Sequence, residues 1–581
     1  MAIKVGEMLV SKKLITSEQL QLVLQEQHKT GELLGQTLSR MGYMAEDQFL
    51  LVLSEQLNIP FIKLQDVDID PEAIKKLPLK FAWHYKIMPI SLVDGKLTVA
   101  TFDPLSSLND LEKFLGCEAA PVLATESDLI KAIEKYYGVG AETIEKIIAA
   151  APRENVDVDT DKEVTDIEKM AGDASVVKLV NQVIVEAYQK RATDIHLDLF
   201  RSKLSLRYRI DGILYPANTS EDMVRFFPAI ISRIKIMSNL NIVERRLPQD
   251  GRAVVKIGDM ELDLRISIIP TRYGEGLVIR ILPTKMLFSL KGLGLQDAEL
   301  KVLELLIHKP HGIIFATGPT GSGKTTTLYA CLNKIKSTEN KIITLEDPIE
   351  YELEGITQIQ VMPEIGLTFA AGLRSVLRHD PDIMMVGEVR DFETAELAIR
   401  IALTGHLIFS TVHTNDAAGG VTRLLDMGVE PFLITSSVRG FIAQRLLRVI
   451  CPDCKEEDTS IGDEIKKQII QEIAEFLPFY RKNPEQYKKF AQLKESDIHF
   501  YRGKGCEACN FNGFRDRTAI YEILVVNKAI KELILKKVST DIIREEAIKQ
   551  GMKTLRLAGW ERVIEGTTTP NEVIRITQTE E

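Results

Sequence analysis

The sequence predicts an α/β protein of several domains, organised around a phosphate-binding strand, loop and helix. Three observations lead there. The chain has 581 residues, too many for one hydrophobic core, so roughly three or four domains are expected. The stretch IIFATGPTGSGKTTTLYACL, residues 313–332, passes from an apolar β-like run through a glycine-rich turn into a helix. Further short apolar runs downstream each end in a carboxylate or a histidine, as ligand-binding parallel strands do at their C-terminal ends.

The spacing Gly318-x-x-x-x-Gly323-Lys324-Thr325 is the P-loop pattern. Gly318, Pro319, Thr320, Gly321, Ser322, Gly323, Lys324, Thr325 and Thr326 form the candidate nucleotide segment. Small residues let backbone N–H groups wrap a phosphate chain, and the helix N-terminus adds positive potential. Lys324 is expected on the β- and γ-phosphates of ATP, with the Thr325 hydroxyl on Mg²⁺. A chance glycine turn would not be bracketed by a strand and a helix in the order this chemistry requires.

Four carboxylates and two histidines extend the site. The run IITLEDPIEY (342–351) ends in Glu346, Asp347 and Glu350, placed to bind Mg²⁺ through water or to orient the attacking water; Asp347 is the metal candidate. DIMMVGEVRD (382–391) is a buried strand ending in Gly387-Glu388, with Glu388 placed to act on the metal or the lytic water. TGHLIFSTVHTNDA (404–417) puts His406 and His413 at opposite ends of another strand. His406 reads as structural, whereas His413 at the C-terminal end suits a γ-phosphate sensor.

The composition is that of a globular protein, 45% hydrophobic and 27% charged, and the net charge of −10 argues against a nucleic-acid partner. No apolar run reaches the roughly 18 residues of a membrane span, and the N-terminus lacks a signal-peptide core. A cytoplasmic protein is expected, held at any membrane by partners. Of six cysteines, Cys451, Cys454, Cys506 and Cys509 form two Cys-x-x-Cys pairs. A single pair would leave a redox role open, but two knuckles favour a tetrahedral Zn²⁺ site over disulfides. Cys117 and Cys331 read as buried apolar side chains.

Six segments are expected. VGEMLVSKKLITSEQLQLVLQEQ (5–27) aligns without gaps to LGQTLSRMGYMAEDQFLLVLSEQ (34–56), so residues 1–60 form a helical repeat module. Residues 61–137 form an α+β domain with a hairpin at Asp94-Gly95, and 138–172 an acidic linker. A mixed α/β domain follows over 173–285, the P-loop domain over 286–445, and a C-terminal domain with the tetracysteine element over 446–581.

GPTGSGKTTTLY, LEDPIEY, LRHDPDIMMVGEVRDFETAELA and ALTGHLIFSTVHTNDA resemble the Walker A, Asp box, Walker B and His box of the type II secretion and type IV pilus ATPase family. The likeness extends through ATDIHLDLF, LRYRIDG and ERRLPQDGR upstream and TPNEVIRIT downstream, covering 170–581. It implies a RecA-like ATPase domain preceded by a PAS-like α+β domain, in a homohexamer with composite sites. Arginines of the preceding domain would close over the phosphates, and Arg207 and Arg209 match them, with Arg225 a weaker match. Arg374, Arg378, Arg390 and Arg423 also match family arginines, with a plain surface salt bridge as the rival for Arg390 and Arg423.

The resemblance further implies partners: an inner-membrane platform protein and a cytoplasmic recruiting subunit. The N-terminal repeat is similar to a module that in some relatives binds cyclic di-GMP. Here Lys4 and Leu33 stand where an arginine begins each motif, and Lys13 replaces a glycine, which favours docking over second-messenger binding. The segment 455–505 is longer and richer in Lys and Glu than the family pattern, a contact surface or a solvated insertion. The function implied is an ATP-driven motor of type II secretion. A pilus-extension ATPase is the alternative, and a nucleotide-gated binding module without work output a more distant one. A DNA translocase is disfavoured by the charge.

Overall fold

The computed structural model describes residues 5–30, 32–104, 115, 117–137, 173–201, 203–219, 223–258, 260–283, 289–474 and 493–578. The expected linker 138–172 and Lys4 lie outside them. The chain divides into two compact units, Met1–Pro283 and Thr284–Glu581.

Unit 1 opens with the repeat as four helices, α1 (Val5–Ser11), α2 (Ser17–Thr30), α3 (Leu34–Arg40) and α4 (Glu46–Leu57). The bounds of α1 and α3 fall at aligned positions, and so do the turn residues Lys13 and Gly42, both at positive φ (59° and 72°). The helices cross at aligned glycines. A side-chain carbon on Gly6 would lie 2.9 Å from Leu20, and one on Gly35 would lie 2.5 Å from the Phe49 ring. Small residues are kept there because the facing helix leaves no room for a methyl group.

Next come α5 (Pro71–Lys76), α6 (Leu79–His84), the strands β1 (Ile87–Val93), β2 (Lys96–Thr101) and β3 (Glu118–Leu123), and α7 (Glu126–Tyr137). Asp94 and Gly95 turn the β1–β2 hairpin with φ of 50° and 77°, as an Asp-Gly pair does between antiparallel strands. The repeat docks on this layer through Glu126, whose backbone N–H donates to Glu46 while its carboxylate accepts from Gln36 and Lys86.

The rest of unit 1 is an antiparallel six-stranded sheet backed by two helices. Asp173 caps α8 (Ala174–Gln189), and α9 spans Met223–Met237. The strands are β4 (Ala192–Phe200), β5 (Lys203–Ile210), β6 (Ile213–Ala217), β7 (Gln249–Ile257), β8 (Met260–Thr271) and β9 (Gly274–Pro283), in the order β6-β5-β4-β9-β8-β7. Strict alternation sends Leu204, Leu206, Tyr208 and Ile210 into the core under the helices and leaves Ser205, Arg207 and Arg209 on the other face.

Unit 2 is a seven-stranded sheet in the order β12-β11-β13-β14-β10-β15-β18. Its strands are β10 (Gly312–Thr317), β11 (Ile342–Glu346), β12 (Thr357–Gln360), β13 (Ile383–Val386), β14 (Leu407–Val412), β15 (Val438–Ile450) and β18 (Phe514–Val525). All neighbours are parallel except β15 and β18. Strands β10, β11, β13 and β14 are buried along their whole length, which explains their continuous apolar sequences. Helices α10 (Asp297–Ile307), α11 (Lys324–Ile335), α12 (Phe369–Val376), α13 (Phe392–Leu403), α14 (Ala417–Asp426) and α15 (Pro431–Ser437) pack around it.

The expected boundary at 445 falls inside β15, because the C-terminal segment returns β18 to the same sheet. Helices α17 (Lys528–Leu535), α18 (Thr540–Lys549), α19 (Leu555–Ile564) and α20 (Pro570–Thr577) then close the same core. Of the insertion, β16 (Lys455–Glu457), α16 (Asp463–Ala474) and β17 (Tyr501–Gly503) are described. Helix α16 is not a solvated appendage. It buries Ile469 and Ile473, and Trp560 Nε1 donates to Glu472 at 2.6 Å.

Gly35→Ala should destabilise the N-terminal module by about 1–3 kcal/mol, the usual cost of overpacking a closed contact. Limited proteolysis and thermal unfolding would read this as earlier loss of the first sixty or so residues, with the ATPase core unchanged.

Candidate functional site

The sheet order places β14 between the P-loop strand β10 and β13. Three chain ends therefore open on one edge: the loop after β10, Glu388 after β13 and His413 after β14. The loop itself is pressed against β15. A side-chain carbon at Gly318 (φ 144°) would sit 2.6 Å from Ser322 Oγ and 2.7 Å from the Gln444 carbonyl oxygen. Gln444 Nε2 donates to the Ser322 carbonyl at 2.6 Å, fixing the back of the turn.

The residues fit a phosphate chain. Lys324 Nζ donates to the carbonyls of Gly318 at 2.8 Å and Pro319 at 3.1 Å, so the ammonium is curled over its own loop. Burial lowers the Lys324 pKa, the Glu388 carboxylate opposes that, and Arg445 reinforces it. Ser322 Oγ is buried and has no hydrogen-bond partner, an orphan donor in the cradle. Thr325 and Thr326 are half-buried in the first turn of α11.

Glu388 is the centre of the adjoining cluster. Its side chain is 12% exposed, pairs with Arg390 at 2.6 Å and lies 3.4 Å from His413 Nε2. Backbone bonds lock the cluster in place: Gly387 N–H to Leu345 O at 2.7 Å, Val389 N–H to Thr411 O at 2.9 Å, and Thr411 Oγ1 to Gly387 O at 2.7 Å. The Thr317 hydroxyl, at the end of β10, bonds the carbonyl, the N–H and the hydroxyl of Thr414, coupling the loop strand to the histidine strand. His406 is held by Thr404 Oγ1 at 3.0 Å and the Ile401 carbonyl, as a structural histidine should be.

Glu346 is placed differently from the open carboxylate the sequence suggests. It is 2% exposed, and its oxygens accept from the Tyr329 hydroxyl, Thr344 Oγ1 at 2.5 Å and Gln358 Nε2 at 3.1 Å. Asp347, one residue on, is exposed. In unit 1, Arg207 donates to Asp198 at 2.9 Å, and Arg209 lies 3.6 Å from Asp194, which also accepts from Arg280. Arg225 is exposed on α9 and Arg423 on α14. Arg374 pairs with Glu393, and Arg378 donates to the Arg374 carbonyl at 3.1 Å.

Sequence reasoning missed Tyr329, Gln358, Gln444 and Arg445. Tyr329 stands four residues after Thr325 and so on the same helix face, a signal that was available. The others reach the site through strand pairings that no local pattern announces.

The four paired cysteines converge. Their sulfurs all lie within 4.8 Å of one another, with Cys451–Cys506, Cys454–Cys509 and Cys506–Cys509 each at 3.8 Å. A tetrahedron of thiolates at the usual Zn–S length has edges of about 3.8 Å, so the set fits zinc. Backbone N–H groups of Gly505, Cys506 and Gly513 point at the sulfurs at 3.2–3.3 Å. Burial resists ionisation of Cys509, but the N–H groups of Cys506 and Gly513 bring its pKa to about 7.

A glycine cradle on a parallel sheet, a lysine at its helix start, and acidic and histidine groups on the adjoining strand ends define a P-loop ATPase. The comparisons place it more closely. The profile of the type II/IV secretion system protein family matches residues 169–575, and that of the MshEN domain matches 57–143. The type IV pilus assembly ATPase PilB of Myxococcus xanthus is 40% identical over 98% of each chain. The type II secretion system protein E of Xanthomonas campestris is 37% identical over 99% of this chain and 98% of its own. A solved pilus retraction motor PilT with bound ADP covers 68% of this chain and 95% of its own at 27% identity and a TM-score of 0.43. The chain belongs to the type II/IV secretion system protein family.

Two measurements follow from this geometry. Elemental analysis of protein purified without chelator should find one zinc per chain, and stripping it should melt the region around β16, β17 and β18 before nucleotide affinity falls. The second concerns Glu522 on β18, which accepts the N–H groups of Ala417 at 2.8 Å and Leu555 at 3.3 Å, beside Asp416 and Arg544. Burial pushes its carboxyl up to about 7. The native state then keeps a proton that the unfolded chain releases, so this group's contribution falls as pH rises from roughly 4.5 to 7. Glu522→Gln should gain in melting temperature relative to the parent across that window and hold a constant difference above it.

Proposed function

We propose that this ATPase powers type II protein secretion as a homohexamer, converting closure of its nucleotide sites into motion of an inner-membrane platform protein and growth of a pseudopilus. The observation that carries the reading is the convergence of Lys324, Glu388 and His413 on one sheet edge in a chain matching the secretion family along 169–575. Pilus extension is the second reading, favoured by the 40% identity to a pilus assembly ATPase over 98% of both chains.

In this reading Gly318–Thr326 wrap the phosphates of ATP, and Lys324 leaves the Gly318 and Pro319 carbonyls for the β- and γ-phosphates. Thr325 and Asp347 would hold Mg²⁺, which when bound neutralises developing phosphate charge. Glu388 and Glu346 are the carboxylates that aim the attacking water, with His413 sensing the γ-phosphate beside Glu388. Arg207 and Arg209 would complete the phosphate site in the assembled ring, which would tie hydrolysis to rigid-body motion. The four cysteines hold a structural zinc.

Among the described residues no helix is long and apolar enough to cross a membrane, which supports a cytoplasmic protein recruited to the inner membrane by a platform protein and a cytoplasmic subunit. The MshEN match over 57–143 supports a regulatory or docking role for the α+β domain that follows the helical repeat. Leu33 and Lys13, where arginine and glycine would serve a guanine ligand, support docking over cyclic di-GMP.

Lys324→Ala should abolish turnover, Glu388→Gln should bind ATP and trap it, and Arg207→Ala or Arg209→Ala should cut kcat far more than ATP affinity. Specific activity should rise with protein concentration as rings assemble. Full activity in a demonstrably monomeric preparation would refute the coupling. Loss of secretion with intact pili in a deletion strain, or the reverse, decides between the two machines.

A further inference from the structure

Glu346 is a buried carboxylate with an unusually complete set of donors. A carboxylate offers about four lone-pair sites. Three are taken, by the Tyr329 hydroxyl on Oε2 and by Thr344 and Gln358 on Oε1. Gln358 is itself fixed, since its Nε2 also donates to the Tyr351 carbonyl at 3.0 Å and its Oε1 accepts from Leu353 N–H at 2.7 Å. Gln358 and Thr344 are register partners on β12 and β11, so both donors on Oε1 come from rigid strands. The donor on Oε2 comes from elsewhere.

Tyr329 lies on α11, the helix that begins at Lys324. It is fully buried, packs edge-on against the Tyr351 ring at 6.5 Å, and stands one helical turn behind Thr325. Burial, with the Glu346 carboxylate adding to it, pushes the Tyr329 pKa well up, so the phenol keeps its proton and donates it. The phenol thus joins the helix that carries the phosphate site to a carboxylate on β11, across the two strands β13 and β14 that separate β11 from β10.

We infer that Tyr329 is a positioning residue for ATP hydrolysis, tying the orientation of the Glu346 carboxylate to the nucleotide-binding helix. The inference rests on Glu346 being one of the two carboxylates that aim the attacking water. With three lone pairs occupied, only one remains for a water proton, and its direction is set by the other three bonds. A shift of the first turn of α11 on loading the phosphates moves Tyr329 with it, and the shared hydrogen bond carries the shift to Glu346. Removing the phenol oxygen leaves the packing and frees the carboxylate to rotate about the two remaining bonds.

The test uses full-length protein with steady-state ATPase assays and a fluorescent ATP analogue for affinity. Tyr329→Phe should lower kcat roughly tenfold, the scale of one charge-assisted hydrogen bond, with KM and analogue affinity within about twofold of the parent. Thr344→Val, which removes another donor at similar volume, should act in the same direction. In a Glu346→Gln background, Tyr329→Phe should change residual turnover by less than about twofold, because the group it positions is gone.

A folded Tyr329→Phe protein with parental kcat overturns the inference. So does an equal fold-loss in the Glu346→Gln background, which would place the phenol's effect elsewhere. If Tyr329→Phe does not fold, Thr344→Val carries the same criteria, and failure of both to fold makes these hydroxyls supports of the core and overturns it too. Parental turnover by Glu346→Gln instead sinks the assignment of Glu346. A dead Glu346→Gln beside a normal Tyr329→Phe leaves that assignment standing and removes only this one.

Discussion

The close approach of β15 to the glycine loop is the constraint on which the rest of unit 2 depends. The loop can turn where it does because Gly318 carries no side chain against the Gln444 carbonyl. The strand that forces this choice is also the one that runs on to Ile450 and delivers Cys451 directly to the cysteine cluster. Its antiparallel partner β18 starts at Phe514, just past Cys509, and carries Glu522 to the N-terminus of α14. Phosphate cradle, cysteine centre and the His-box helix are therefore connected through two paired strands with no flexible linker between them. A metal that fixes the far end of that pair stiffens the near end, a mechanical role that needs no open coordination position.

Charge at the site is arranged so that each group has a partner before any nucleotide arrives. Lys324 leans on loop carbonyls, Glu388 on Arg390 and His413, and Glu346 on three neutral donors. Buried ionic groups without partners would cost several kcal/mol each, so the resting arrangement is a requirement of stability before it is one of catalysis. The consequence is that phosphate loading is an exchange of partners. In the proposed reading Lys324 would trade two neutral carbonyls for anionic oxygens, a strongly favourable swap. Glu346 has no such swap available, because two of its donors sit on paired strands, and it would respond only through the third, Tyr329, on the helix that begins at Lys324.

Much of this was legible in the sequence wherever local chemistry dictates geometry. The P-loop, the Asp94-Gly95 turn and the helical repeat were visible because glycine spacing and aligned apolar positions report backbone conformation directly. The paired cysteines were visible because their spacing has few uses. Glu388 and His413 could be placed from strand-end position alone, and the structure brings them within 3.4 Å. The burial of Glu346 was not legible. An acidic residue in EDPIEY looks exposed, and only the pairing of β11 with β12 brings Gln358 over it. The domain division at 445 failed to anticipate β18 for the same reason, since an antiparallel return across roughly sixty residues leaves no periodic trace.

The arginines of unit 1 illustrate how a sheet face can be stable alone and still available to a phosphate. Arg207 and Asp198 are 36% and 28% exposed, a pairing worth at most about 1 kcal/mol in water. An arginine that leaves Asp198 abandons a carboxylate that solvent can reach. Asp194 is different: it is 9% exposed, and losing its only cation would strand a buried charge. It has two cations, however, Arg209 at 3.6 Å and Arg280 at 3.1 Å, so Arg209 can depart while Arg280 remains. The longer of the two contacts belongs to Arg209, the residue that the proposed mechanism requires to move. Arg209 on β5 and Arg280 on β9 both stand opposite Asp194 in register, so the carboxylate lies between two cations. The redundancy of cations at Asp194 makes a mobile arginine compatible with a folded sheet.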